Sequence, residues 1–247
     1  MKRRSALCYF SAYAAGHATS DFVLLSSARK SGRRQRRALS ENIFDSTRWL
    51  VSAIVTGLRA QRADEGVGDV LERIAEQDMS PQSCRSPAPR RLPACRHLPT
   101  VLGDLAMAES SLAAAIAAAE DTLAWCQNPN YSDKAMGQAG YMDNYAYAEI
   151  IGPSGVFAGH DFLLGLMILG PRLHYRDHLH SAPELYWMLT GPSEWRSGIG
   201  DFARRAAGET IWHAPLVPHA TRTGDSPLLA MWAWTRDVGE PARLVAA

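Results

Sequence analysis

The second half of the chain is a succession of short segments rich in aromatic and β-branched residues. Gly-Pro or Gly-Asp pairs separate several of them, and their spacing is typical of strands in an all-β sandwich or barrel. The segments are 145–153, 160–171, 184–192, 194–200, 209–215 and 228–235. Because strands do not alternate with helices here, a parallel sheet is disfavoured. The sequence therefore predicts an antiparallel β-barrel or jelly roll over residues 131–247.

A helical region is predicted in front of the strands, over residues 41–130, so that the chain as a whole is mainly β with a helical N-terminal part. Apolar residues recur at intervals of three and four within residues 49–58, and residues 69–77 form a second helical pattern. The alanine-rich residues 101–127 are predicted to form one long helix. The proline- and arginine-rich residues 80–99 are predicted to form a loop, since proline removes a backbone donor.

Positive charge is concentrated in residues 1–40, which carry nine basic residues and one acidic residue, whereas the whole chain has a net charge of +1. A basic arm can bind nucleic acid, but no basic surface with interleaved aromatic residues continues beyond it. The arm is therefore interpreted as an unstructured leader, and no nucleic-acid partner is expected.

The four cysteines show no CxxC spacing, which is typical of reduced thiols in a cytoplasmic protein rather than of a disulfide framework. No apolar run approaches the roughly 18–20 residues that cross a bilayer, so no membrane association is expected. The alanine-rich helix offers a surface for a homodimer, although it could equally cover the barrel.

Three histidines and a glutamate occur within HYRDHLHSAPELYW, residues 174–187. Because side chains alternate along extended chain, His178 and His180 share one face, and so do Glu184 and Tyr186. Inward-facing imidazole and carboxylate groups are costly in an apolar interior unless they are paired or bind a metal. After a proline-bounded turn, His219 is the expected fourth ligand and His213 is the alternative.

The pattern H-x-H-x3-E-x6-G resembles the first motif of the cupin superfamily, and the later P-x-x-x-H resembles the second. The residues concerned are His178, His180, Glu184 and Gly191, then Pro215 and His219. The tracts LYWMLTGPSEWR and MWAWTRD resemble the cupin-type dimethylsulfoniopropionate lyases. The stretch YSDKAMGQAGYMDNYAYAEIIGP is most similar to the DddL branch of that group, which is related to the DddQ, DddW and DddK types.

This resemblance implies a metal-dependent lyase that cleaves dimethylsulfoniopropionate to dimethyl sulfide and acrylate by β-elimination. Carried over to this sequence, it implies metal ligands at His178, His180, Glu184 and His219, a catalytic tyrosine at Tyr186 and a second one at Tyr175. A set of three imidazoles and one carboxylate suits a divalent transition ion, namely Fe, Ni, Co, Mn or Zn.

The sulfonium group of such a substrate needs an aromatic or apolar surround, because cation–π contacts with tyrosine or tryptophan contribute about 0.5–2 kcal/mol. The candidates for this pocket are Tyr147, Trp212, Trp232 and His174. Trp187 has the opposite strand parity to Tyr186 and is expected to point away from the metal.

Two other functions fit the same motifs. One is a different metal-dependent cupin enzyme, an Fe(II) dioxygenase or a sugar isomerase. The other is a non-catalytic, metal-stabilised cupin that binds a small molecule. The Tyr186→Phe variant separates them, because only the lyase reading expects this change to abolish elimination while metal binding persists.

Overall fold

The computed structural model describes the backbone of residues 22–246 and the side chains of residues 41–246. The chain divides into two units, Met1–Leu39 and Ser40–Ala247. Helix α1 (Phe22–Ala60) begins inside the segment 1–40 that was predicted to be an unstructured leader, and residues 1–21 of that segment lie outside the described residues. The assignment of a separate leader therefore stays a prediction.

Four further helices precede the strands. They are α2 (Val67–Glu76), α3 (Leu98–Ala108), α4 (Ser110–Ala119) and α5 (Asp133–Met136). Three of them lie within residues 41–130, where a helical region is predicted, whereas α5 lies beyond that range. The proline-rich residues 80–99 form turns and a short 3-10 segment, and α3 begins only at their end. Within the described part of the chain, no helix is long and apolar enough to cross a membrane.

The prediction of one helix over residues 101–127 is wrong. The helix breaks at Glu109, whose φ of −137° and ψ of 68° are not helical, and regular helix ends at Ala119. Residues 123–126 are extended, because Trp125 N–H donates to Arg90 O and Cys126 exchanges two backbone hydrogen bonds with Tyr147. Pairing with distant segments overrides the helix propensity of the alanine-rich sequence.

Ten strands follow, and every pair of neighbouring strands is antiparallel. They are β1 (Tyr145–Ile151), β2 (Leu163–Leu169), β3 (His174–Leu179), β4 (Glu184–Met188), β5 (Ser193–Ser197), β6 (Ala203–Arg205), β7 (Thr210–His213), β8 (His219–Thr223), β9 (Leu228–Trp234) and β10 (Arg243–Leu244). Each of the six predicted segments overlaps one strand. The strands β3, β6, β8 and β10 lie outside the predicted segments.

The strands form two five-stranded sheets rather than one closed barrel. The first sheet has the order β1-β2-β9-β4-β7 and the second has the order β10-β3-β8-β5-β6. Residues 164, 166, 168, 185 and 187 of the first sheet belong to a core that also contains residues of α1 to α4. Residues of opposite parity, including Tyr186 and Trp232, pack with Tyr175 and Trp195 of the second sheet. The predicted fold class, a mainly β cupin-type jelly roll with an N-terminal helical region, is confirmed.

Candidate metal centre and adjacent cavity

The four predicted metal ligands come together between the two sheets. His178 lies on β3 and His219 is the first residue of β8, where the two residues are directly paired. His180 follows the end of β3, and Glu184 is the first residue of β4 in the other sheet. One ligand atom from each residue lies within 4.8 Å of all the others. All four residues are at most 5% exposed.

Backbone carbonyl groups fix the orientation of the three imidazole rings. The Nδ1 atoms of His178, His180 and His219 each lie 2.8–2.9 Å from a carbonyl oxygen two residues away in the chain. A carbonyl oxygen only accepts hydrogen bonds, so each Nδ1 carries a proton and each Nε2 is left as the ligand atom. Burial, with a contribution from His219, lowers the pKa of His178 well below 6.5 and keeps that ring neutral.

The carboxylate of Glu184 lies against two of these ligand nitrogens. Its Oε2 atom is 3.0 Å from Nε2 of His180 and 3.2 Å from Nε2 of His219. With neutral rings that carry their proton on Nδ1, both contacts join two acceptors, so a positive charge is required between them. Burial raises the pKa of Glu184, but His180 and His219 lower it well below 4.5, so the carboxylate is charged.

This donor set fits a divalent transition ion. The rings present three unprotonated nitrogens toward one charged carboxylate, and Nε2 of His219 has no hydrogen-bond partner. Such nitrogen and oxygen ligands suit Fe, Ni, Co, Mn or Zn, and the geometry does not distinguish among these ions. The second oxygen of Glu184, Oε1, accepts a hydrogen bond of 2.8 Å from Nε1 of Trp234.

His213, the alternative fourth ligand, lies beside the group rather than in it. Its ring stacks on that of His219, with centroids 4.1 Å apart and planes 10° apart. Its backbone pairs with Glu184 across β7 and β4. Its Nε2 atom is buried without a partner, and burial, with a contribution from His219, lowers its pKa to about 3.

A cavity of about 230 Å³ opens next to the ligand group. The inner face of the first sheet forms most of its wall, and the remaining lining residues are Asn128, Pro153, Tyr175, Val238, Gly239, Pro241 and Ala242. The residues of the first sheet are Tyr145, Tyr147, Glu149, Leu163, Met167, Glu184, Tyr186, Trp232 and Trp234. Glu184 and Tyr186 share this face, as their strand parity predicts, while Trp187 packs against Gly57 of α1.

The two predicted catalytic tyrosines both line the cavity. The ring of Tyr186 lies 4.7 Å from that of Trp195, and burial together with Glu184 raises its pKa well above 10. The ring of Tyr175 is stacked on His178, with centroids 4.0 Å apart, and its hydroxyl is 3.2 Å from the hydroxyl of Tyr131. Burial also raises the pKa of Tyr175, so both phenols are neutral in the metal-free protein.

Two of the four predicted pocket residues line the cavity, and two lie elsewhere. Tyr147 and Trp232 face each other edge to face, with ring centroids 5.7 Å apart. Trp212 instead packs on Gly66, just before α2, because the neighbouring His213 takes the inward position on β7. His174 lies outside the cavity, with its ring centroid 5.9 Å from that of Phe202.

Sequence reasoning did not select Trp234, Glu149 or residues 238–242 for the pocket. Strand parity contains the signal for the first two, since Trp234 is two residues after Trp232 and Glu149 is two residues after Tyr147. The segment 238–242 has no such signal, because it reaches the cavity as a loop that leads to the edge strand β10.

The fold and the ligand group together define a cupin-type jelly roll with a three-histidine, one-carboxylate centre. The sequence matches the dimethylsulfoniopropionate lyase family over residues 68–230, well over half of the chain. The chain belongs to this family. The match ends before Trp232, so part of the cavity wall lies outside the matched region.

Individual relatives agree with this assignment. The chain is 32% identical over 108 residues to the dimethylsulfoniopropionate lyase DddQ of Ruegeria pomeroyi, covering 44% of this chain and 53% of the relative. It is 37% identical over 93 residues to the DddL protein of Cereibacter sphaeroides, covering 37% of this chain and 38% of that protein. The matched part thus spans about half or less of these two relatives.

Solved structures cover more of the chain. A crystal structure of DddQ from Ruegeria pomeroyi superposes with a TM-score of 0.65 and 25% identity, covering 81% of this chain and 96% of that one. A second structure, from work on the lyases RdDddP and RnDddQII, has a TM-score of 0.63 and 23% identity, covering 82% and 98%. The second likeness concerns the fold alone.

Proposed function

We propose that this protein is a metal-dependent lyase that cleaves dimethylsulfoniopropionate to dimethyl sulfide and acrylate. The observation that carries the proposal is the buried group of three histidines and Glu184 beside a cavity of about 230 Å³ that Tyr186 also lines. Membership of the dimethylsulfoniopropionate lyase family supports the choice of substrate.

The cavity has different chemistry at its two ends, which suits a substrate with a carboxylate at one end and a sulfonium at the other. A divalent ion held by the four ligands would supply Lewis acidity to the substrate carboxylate and make the neighbouring carbon more acidic. Away from the ligands, Tyr147 and Trp232 offer aromatic faces to the sulfonium. The orientation of the substrate follows from these two contacts.

The elimination needs a base beside the carbon next to the carboxylate. Tyr186 takes that proton, the C–H electrons form the new carbon–carbon double bond, and the C–S electrons leave with the neutral sulfide. Burial and Glu184 raise the pKa of Tyr186, whereas positive charge in the ligand group favours its phenolate. Tyr175 is the second candidate for the base, since it lines the same cavity and its ring stacks on His178.

Headspace detection of dimethyl sulfide from the purified protein and its substrate, with and without a chelator, tests the proposal. We expect release that the chelator abolishes and that a divalent transition ion restores. Tyr186→Phe is expected to keep the metal and to lose at least a hundredfold in rate, as removal of a general base typically does. No sulfide from the metal-loaded protein would rule out the lyase.

Tyr141→Phe is the matched control. Its ring is as buried as that of Tyr186, but its hydroxyl has no hydrogen-bond partner and it does not line the cavity. We expect normal turnover in this variant. A Tyr186→Phe protein that releases sulfide at the normal rate would remove Tyr186 from the mechanism and leave Tyr175 as the candidate base.

The cytoplasmic location and the possible homodimer remain predictions from the sequence. Cell fractionation tests the first and sedimentation of the purified protein tests the second. A periplasmic or membrane fraction, or a monomer at micromolar concentration, would contradict them without bearing on the reaction.

A further inference from the structure

Glu149 is an acidic residue in the cavity wall that the proposed reaction does not use. It lies on β1, two residues after Tyr147, and its side chain faces the cavity together with Tyr145 and Tyr147. Apart from Glu184, it is the only acidic residue among the described residues that line this cavity. A carboxylate in a wall made mostly of aromatic and apolar side chains requires an explanation.

The strand register places Glu149 in the same row across the sheet as Tyr186. Glu149 pairs with Gly165 on β2, Gly165 with Trp232 on β9, and Trp232 with Tyr186 on β4. Because strands are about 4.8 Å apart, the backbones of Glu149 and Tyr186 lie about 14 Å apart on one row. The metal ligand Glu184 is therefore at one end of the inner face and Glu149 is at the other.

Gly165 makes room in this row for the indole of Trp232. A Cβ atom at this position would lie 2.8 Å from the indole of Trp232, so the indole occupies the space that a side chain would fill. Tyr147, the neighbour of Glu149 on the same strand face, meets that indole edge to face. Two aromatic rings and one carboxylate thus surround the end of the cavity away from the metal ligands.

The surroundings of Glu149 hold its carboxylate in place. Ser154 N–H donates to Oε2 at 2.7 Å, and this bond and the charge of Arg85 both favour the ionised form, although burial raises the pKa of Glu149. The guanidinium of Arg85 is itself bonded to the carbonyl oxygens of residues 152, 153 and 157.

We infer that Glu149 recognises the cationic end of the substrate, with Tyr147 and Trp232 as the aromatic part of the same subsite. This inference rests on the proposed function and deepens it, since it assigns the selection of a sulfonium over a neutral group to one carboxylate. The substrate carboxylate lies at the ligand end, and its cation is attracted to the opposite wall. Glu149 thereby sets affinity and orientation and takes no part in proton transfer.

Binding of two substrate-shaped probes to the metal-loaded protein tests the inference by calorimetry, with trimethylamine measured to check that the cationic probe stays intact. 3-(Trimethylammonio)propanoate carries a cation at the position of the sulfonium, whereas 4-methylpentanoate has the same branched shape as the substrate without the charge. We expect the wild-type protein to bind the cationic probe more tightly. In Glu149→Gln the amide oxygen can still accept the hydrogen bond from Ser154. The ratio of the affinities for the cationic and the neutral probe is expected to fall about tenfold in this variant, while the neutral probe binds within about twofold of wild type.

Glu194→Gln is the matched control, because Glu194 is an exposed acid on β5 and does not line the cavity. This variant is expected to keep the full preference for the cationic probe. An unchanged preference in Glu149→Gln, an equal loss of both probes, or no binding of the cationic probe to the wild type would overturn the inference.

The outcome is separable from that of the lyase assay. Absence of dimethyl sulfide would refute the reaction, while a Glu149-dependent preference for the cationic probe would still identify the subsite. If the protein turns over its substrate, Glu149→Gln is expected to raise KM about tenfold and to leave kcat within about twofold. A fall in kcat at unchanged KM would show that Glu149 acts on the chemistry instead.

Discussion

The indole N–H of Trp234 donates to Oε1 of Glu184 at 2.8 Å, while the other carboxylate oxygen lies against His180 and His219. Trp234 thus holds the orientation of the one acidic ligand. Residues that orient a ligand in this way typically contribute 10–100-fold to metal affinity. Trp234→Phe keeps a ring that can stack on His180 but removes the donor, so we expect metal affinity to fall within that range by competition with a chromophoric chelator.

Trp232→Phe is the comparison for this measurement. Trp232 lies on the same face of β9, but its Nε1 atom has no hydrogen-bond partner. Its replacement is expected to leave metal affinity unchanged. Equal metal affinities in the two variants would show that the hydrogen bond to Glu184 has no effect on the centre.

Replacement of His219 by alanine removes one ligand and leaves Glu184 without its contact across the two sheets. We expect the purified variant to contain far less than one metal ion per chain by elemental analysis. His174→Ala removes a histidine from β3, the strand paired with β8, that lies outside the cavity and the ligand group. That variant is expected to keep its metal, and stoichiometric metal in His219→Ala would contradict the assigned ligand set.

The metal-free protein is expected to lose stability as the pH falls. His213 has a folded pKa of about 3, whereas an unfolded histidine has a pKa near 6.5, so the unfolded chain binds the proton first. Between about pH 7 and about pH 5 this one residue lowers the free energy of unfolding by about 2 kcal/mol. His178 acts in the same direction because its pKa is also lowered.

Urea unfolding of the chelator-treated protein at the two pH values measures this effect. His213→Phe keeps an aromatic ring against His219 but does not titrate, so its stability is expected to fall less with pH, by roughly the same 2 kcal/mol. The same pH dependence in both proteins would mean that His213 is not held neutral by the fold.

Helix α1 packs against the first sheet through Gly57, where an added Cβ would overlap the indole of Trp187. Gly57→Ala is therefore expected to destabilise the protein by about 1–3 kcal/mol, in spite of the better helix propensity of alanine. Gly103→Ala on α3 has open space around its Cβ and is expected to be stabilising by up to about 1 kcal/mol. Thermal unfolding of both variants gives the sign of each change in stability. Equal shifts in melting temperature would show that the indole of Trp187 moves aside without strain.

Local periodicity explains what could be read from the sequence. His178 with His180 and Glu184 with Tyr186 are two residues apart, so their shared faces follow from the alternation of an extended chain. The same alternation places Tyr186 and Trp187 on opposite faces of β4, and Trp187 packs against the helices. These relationships need no knowledge of which strands are neighbours, and they supported the prediction of three of the four ligands.

Other features depend on register between distant strands. Whether His213 or Trp212 faces inward is decided by the pairing of Glu184 with His213 across β4 and β7, which spacing does not reveal. The pairing of Cys126 with Tyr147 likewise ends the alanine-rich helical region early. The pKa of Tyr186 is likewise raised by burial and by Glu184, and that burial depends on how the two sheets pack.

Three of the four ligands come from the second sheet or the turn that follows β3, and Glu184 comes from the first sheet. An ion at this point would be a cross-link between the two layers of the sandwich. Without it, the packing of side chains between the layers holds them at this distance. The cavity opens between the same layers, so an ion at the centre would also constrain its width.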